Sequence, residues 1–213
     1  MHVDGGCQPP TRNAVVVDHA RYSCSDGKGL EVIEEPEILR LAEYWLSKRA
    51  GRRMPSRTDI DPVEIPWALS RIFIADYQAE TGDYRYRVAG EEIEEVFRRF
   101  TGSISMRGIT LRQAIPAASV DLVHRRWSPV VTQGHIVYTR GLVYLAAERV
   151  PVGARILLPL SERQDSTVTG LIGFTVCDWL RPSDMNCPPG VDICSIPIAE
   201  LDDLRDHRGR PRP

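Results

Sequence analysis

The 213 residues are 42% hydrophobic and 26% charged, enough to bury a core and suited to one domain of about 100–200 residues with extensions. A formal net charge of −2 leaves no basic excess to neutralise phosphates, which argues against bulk nucleic-acid binding. No apolar run approaches the ~20 residues that span a bilayer, and the first residues lack the basic-then-apolar pattern of a secretory leader. The chain is therefore expected in the cytoplasm. Its cysteines, Cys7, Cys24, Cys177, Cys187 and Cys194, form no CxxC pair and are odd in number, which suits free thiols in a reducing compartment.

Residues 1–33 mix glycine, proline and polar residues around one short apolar cluster, Val15–Val17, and read as a flexible leader. The first strong element begins where Glu34, Glu35 and Glu37 surround Pro36. Proline suits the first helical position, and the acids favour the positive end of the helix dipole. Ile38, Leu41, Ala42 and Trp45 recur at helical spacing, Lys48 and Arg49 fall in the last turn, and Gly51 suits a C-terminal cap. Leu39 and Leu46 widen the apolar face, so this helix needs a partner surface in its own domain or in a second copy. From Met54 to Leu69 the prolines allow only single turns, one opened by Asp61 and Pro62 with Glu64 in the capping-box position. Ile72 to Tyr77 reads as a strand and Ala79 to Asp83 as a turn. The next segment, Tyr84 to Val88, alternates strictly, with Tyr84, Tyr86 and Val88 on one face and Arg85 and Arg87 on the other.

Gly90 closes that hairpin and opens a helix with Ile93, Val96, Phe97 and Phe100 along one side. A short element from Leu111 to Ile115 follows. A helix from about Ala118 to Gln133 then carries Val120, Val123, His124, Trp127 and Val131, and Pro129 should kink or end it. His135 to Ala147, Ala154 to Leu160 and Thr167 to Cys177 read as three more strands. Residues 181–213, rich in proline and charge, read as a flexible tail with one helical turn near Ala199 to Leu204. Grouped strands with helices between them predict an α+β fold. The expected domain covers residues 34–180, with a five-stranded antiparallel sheet, short helices on one face and the additional N-terminal helix.

Several segments carry a resemblance. The run from Met54 to Pro66, MPSRTDIDPVEIP, matches a "MPSRxDIDPxxIP" motif; Tyr84 to Gly90, YRYRVAG, matches "YRYRLxGT" with Glu91 in place of the threonine. Phe100-Thr101-Gly102 loosely matches an "lltG" turn, and Leu157-Leu158-Pro159-Leu160-Ser161 matches "lLPLs". In this the chain resembles a bacterial PAS domain family with an N-terminal Trp-bearing helix, over about Glu37 to Trp179 and in the right order. The resemblance implies one PAS fold of undefined ligand, and no particular reaction.

PAS domains often hold cofactors, so each chemistry needs its residues. Flavin photosensors of the light-oxygen-voltage group carry a cysteine inside an Asn-Cys-Arg motif. This chain has none, and Cys177 falls in the last core strand, so no covalent flavin adduct is expected. Heme requires an axial ligand. His124 is the best placed, on a helix face with Val120, Val123 and Trp127, but a core or pocket-wall histidine explains that spacing more simply. Constitutive heme is not expected, nor is a metal site, because no histidine pair has zinc-ligand spacing supported by cysteines. Walker A, GxGxxG and GxSxG motifs are missing from the sequence. Glu91, Glu92, Glu94 and Glu95 could do general acid–base work, yet dipole stabilisation and a solvated face account for them. No catalytic residue is assigned. Candidates for lining a ligand pocket are Tyr86, Arg87, Phe97, His124, Trp127, Tyr138, Tyr144 and Phe174.

These readings converge on a stand-alone sensory or interaction module that binds a small molecule or a signalling partner and passes its output in trans. The alternatives are a small enzyme using the same cavity, resting on the acidic helix and His124, and a ligand-free structural scaffold. A homodimer is expected through the helix from Glu37 to Ala50, with Leu39, Trp45 and Leu46 at the interface, because the PAS proteins it resembles commonly pair their flanking N-terminal helices about a two-fold axis. Neither nucleic acid nor membrane is an expected partner.

Overall fold

The computed structural model describes residues 18–103, 105–144, 150–162, 167–181, 183 and 190–201. The cluster Val15–Val17, Cys7, Cys187, His2, His207, the expected strand end at Ala147 and the side chain of Phe100 lie outside that description. Strands β1 (Arg21–Cys24), β2 (Ile72–Gln78), β3 (Asp83–Ala89), β4 (Ile136–Leu142), β5 (Val150–Ser161), β6 (Val168–Leu180) and β7 (Val191–Ile196) form one sheet, ordered β1-β7-β4-β5-β6-β2-β3. The helices are α1 (Pro36–Lys48), α2 (Glu91–Thr101), α3 (Leu111–Ala114) and α4 (Ala117–Thr132), with single 3-10 turns elsewhere. Residues 198–201 are helical where a turn near Ala199 to Leu204 is expected, the rest of which lies outside the described residues.

The α+β class holds, but the sheet has seven strands and is mixed, not five and antiparallel. The expected strands are β2 to β6, all antiparallel to their neighbours. The others come from segments read as flexible. β7 adds antiparallel to β4, and β1 runs parallel to β7. The β1 side chains are exposed, and Arg21 reaches Asp192 of β7 at 2.5 Å, so this edge strand is held by its partner and carries no apolar pattern of its own. β7 does alternate, Val191 and Ile193 on one face and Cys194 and Ile196 on the other. Its proline-rich flanks hid that period-two signal.

Alternation along the central strands splits the interior into two cores, one on each side of the sheet. On one side α1 buries Ile38, Leu41, Ala42 and Trp45 against Ile136, Ile156, Leu158, Leu160, Ile172 and Phe174. Pro36 stands at the start of α1 as its fixed backbone angle suits, and Ala50 and Gly51, both at positive φ, end it. The Met54–Pro66 segment then runs along the end of β5, past the last residue that pairs with β4. Ser161 N donates to Pro55 O at 3.1 Å, and the Trp45 indole N–H donates to Pro159 O at 2.9 Å. Ser56 and Asp59 close a capping box, and Asp61 accepts from Val63 N at 2.9 Å. Glu64, the expected partner in that second cap, instead pairs with Lys48 at 2.6 Å.

On the other side α2, α3 and α4 cover Phe73, Tyr84, Tyr86, Val137, Leu157 and Leu171. Two local irregularities shape this side. Ile74 faces Val88 while Ala75 faces Tyr86, so Arg87 is the extra residue of a bulge. The bulge turns Val88 away from Tyr84 and Tyr86 and leaves it 49% exposed, against the shared face expected from strict alternation. In α4, Pro129 neither ends nor interrupts the helix, which runs on to Thr132. Proline cannot donate to the carbonyl four residues earlier, and the Ser128 hydroxyl bonds that carbonyl, Arg125 O, at 2.9 Å instead.

Candidate functional site

Between α2–α4 and the sheet lies a cavity with about 60 Å³ open to the centre of a water molecule. One water needs ~10–15 Å³ on this measure, so the space suits several waters or a small organic molecule. Tyr86 from β3, Val96 and Phe97 from α2, Leu111 from α3, Val123, Arg126 and Trp127 from α4, Thr139 and Leu142 from β4, and Arg155 from β5 form its wall, with Tyr144 closing one side. The aromatic rings brace one another. Tyr86 and Phe97 are 5.9 Å apart between centroids, Phe97 meets Tyr144 edge-on at 5.9 Å, and Trp127 stacks on Phe73 at 5.4 Å. Phe73 takes its place because its cross-strand partner is Gly173; a Cβ there would lie 2.2 Å from the Phe73 ring.

Two polar groups of the wall, Thr139 and Arg155, belong to a row that crosses three strands. Thr139 of β4, Arg155 of β5 and Thr175 of β6 are successive cross-strand partners. Arg155 is 9% exposed, its Nε donates to Thr175 Oγ1 at 2.9 Å, and its guanidinium lies 4.3 Å from the Tyr144 ring centre and 5.9 Å from that of Phe73. Burial pushes the Tyr86 and Tyr144 hydroxyls above the usual tyrosine range, with the Arg155 charge opposing it in both, so they stay protonated donors at neutral pH. Arg126 pairs with Asp18 at 2.9 Å, and its Nε is buried without a hydrogen-bond partner. Burial alone would raise the Asp18 carboxyl, but hydrogen bonds from Tyr22 and Arg126 hold it below the usual range.

Four expected pocket residues meet here: Tyr86, Phe97, Trp127 and Tyr144. The others do not. Tyr138 and Phe174 point to the α1 side, where the Tyr138 hydroxyl donates to Glu35 and Phe174 meets Trp67 edge-on at 5.7 Å. Arg87, displaced by the bulge, is exposed and pairs with Asp76. His124 follows the lining residue Val123 on α4 and does not line the cavity; it turns to buried Asp83, Nε2 to Oδ1 at 2.9 Å. His135, expected to open a strand, stands one residue before β4, is half-buried and bonds Ser195 at 2.8 Å. Arg155, Arg126, Thr139 and Thr175 went unnoticed. The available signal was Arg155 itself, a charge between Ala154 and Ile156 in a strand buried on both faces.

The acidic cluster lies off the cavity. Glu92 accepts from Ser70 Oγ at 2.7 Å, Glu94 from Met106 N at 3.1 Å, and Glu95 pairs with Arg98 at 2.6 Å. The expected dimer surface is corrected at one residue. Trp45 is wholly buried under its own sheet, while Leu39 and Leu46 are half-buried against the same core. Among the described residues no group of histidine, cysteine and carboxylate side chains could hold a metal ion, and no helix is long and apolar enough to cross a membrane.

No match to the chain is found among curated proteins or among solved structures. A family model described as a PAS domain matches residues 33–174, well over half of the 213, from three residues before α1 to the middle of β6. The chain belongs to the PAS domain family.

Proposed function

We propose that this chain is a sensory module that holds a small molecule in the cavity between α2–α4 and the sheet and passes the state of that site to another protein in trans, without catalysis. The cavity carries the reading: an aromatic and aliphatic wall with a few convergent polar groups is the form small-molecule sites take. A ligand there acts by binding one conformation of the surrounding helices better than another. The placement of the groups that could transfer protons supports a binding role. His124 is engaged by Asp83, the acids of α2 face solvent or loop donors, and the cavity wall offers tyrosines raised by burial and guanidinium groups, which stay charged. Pairing of two copies through α1 accompanies this proposal, with Leu39 and Leu46 as its apolar contacts beside the exposed Arg40, Glu43 and Ser47.

Native mass spectrometry of the freshly purified chain tests the reading. The expected result is a small mass excess that denaturation releases and that Val123→Phe, which fills the cavity, removes. A bare polypeptide in both proteins, with equal resistance to heat, would refute it.

A further inference from the structure

Building on the small-molecule reading, we infer that the cavity takes a small organic monoanion, with its carboxylate on Arg155 and its apolar body against Tyr86, Phe97 and Trp127. Several surface arginines of this protein have carboxylate partners, Arg21 with Asp192, Arg71 with Glu37 and Arg98 with Glu95, while exposed Arg53 and Arg85 bond backbone and amide oxygens at the protein surface. Arg126, at the same cavity, has Asp18. Arg155 is nine-tenths buried, and among the described residues no carboxylate lies within ion-pair distance of it. What it has instead is neutral: the Thr175 hydroxyl at 2.9 Å and the faces of Tyr144 and Phe73.

A guanidinium cannot escape burial by losing its proton, and an unpaired buried charge is costly to the fold. Ring faces offset part of that cost. Among the described residues no carboxylate supplies the balancing charge, because Asp18 already answers Arg126. The chemistry of the site sets its form. A planar guanidinium fork matches two carboxylate oxygens, and Thr139, the cross-strand neighbour of Arg155, together with the protonated Tyr86 and Tyr144 hydroxyls, places neutral donors on the same wall. A dianion would leave one charge unanswered in an apolar chamber. The aromatic wall and the limited volume select a body about the size of one ring or a short alkyl chain.

The experiment uses the full chain, freed of any bound small molecule by unfolding and refolding, and three matched pairs of probes: acetate with acetamide, benzoate with benzamide, hexanoate with hexanamide. Calorimetry and ligand-observed NMR read the affinities. At least one acid should bind ten-fold or more tighter than its amide, Arg155→Gln should erase the difference, and Arg155→Lys, which keeps the charge without the fork, should recover only part of it. Because the acid–amide comparison is made on the unmodified chain, it stands even if the variants fold poorly. Acids and amides binding equally would overturn the anion while leaving the small-molecule reading intact. Amides alone binding would do the same. No probe binding, with a bare chain in native mass spectrometry, would overturn both.

Discussion

Trp45 distinguishes a core role from an interface role in one residue. Its indole is wholly buried between α1 and the sheet, and its N–H serves the Pro159 carbonyl, which lies beyond the reach of β4 pairing. Trp45→Phe keeps an aromatic ring but leaves that carbonyl buried and unpaired, a loss of about 1–3 kcal/mol. Trp45→Ala also opens a cavity in a close-packed layer, and deletions of that kind cost about 3–5 kcal/mol. Set against the ~5–15 kcal/mol that holds a typical domain together, the alanine variant should unfold at a far lower urea midpoint than the parent, with phenylalanine between. Far-UV circular dichroism followed at low and high protein concentration makes the measurement. Core packing predicts the same loss at both concentrations, whereas a residue acting across a dimer would give a concentration-dependent loss. A Trp45→Ala change costing under ~1 kcal/mol, or one that only weakens association, would refute the placement.

Two further predictions bear on the cavity and on the Met54–Pro66 segment. Gly173→Ala puts a methyl 2.2 Å from the Phe73 ring, so it should destabilise by about 1–3 kcal/mol and, by moving the ring stacked on Trp127, weaken binding of any cavity ligand; unchanged urea unfolding would contradict it. Burial works to raise the Asp59 carboxyl, but hydrogen bonds from Ser56 and Arg52 outweigh it and hold the group below its ordinary 3.8. A carboxyl depressed in the folded state stabilises fully above its unfolded value and loses that contribution as pH falls through the folded one. Asp59→Asn should therefore flatten the stability profile below about pH 4 while lowering stability at neutral pH; a parallel profile for parent and variant would count against the cap.

What the sequence made legible was local. Pro36 at the head of α1, Asp61 capping the turn at Pro62, and the β2–β3 hairpin each rest on residues within a few positions of one another, and each formed close to where pattern and capping chemistry place it. β1 could not be read in that way, because its side chains are exposed and its only reason to be a strand is β7, far along the chain. The bulge at Arg87 was equally hidden, since one extra residue leaves the alternation of letters intact while reversing the face of everything after it.

The site failed in the sequence for a related reason. A sheet covered by helices on both sides has two interiors, and large aromatics populate both, so size does not say which ring meets the cavity. Parity does, once one residue of each strand is anchored. With Val137 on the α4 side, Thr139 must follow it and Tyr138 must oppose it; with Leu157 on that side, Arg155 must follow it and Ile156 must oppose it. A strand buried on both faces offers no solvent exit to a charge at either parity, unlike a strand with one wet face. Arg155 therefore had to lie in an interior whichever way β5 was turned, and a guanidinium in an interior requires compensation by a carboxylate, a ring face or a ligand. Among the described residues its charge meets two ring faces and a hydroxyl and no carboxylate, and that observation, more than any aromatic residue, is what the proposed ligand rests on.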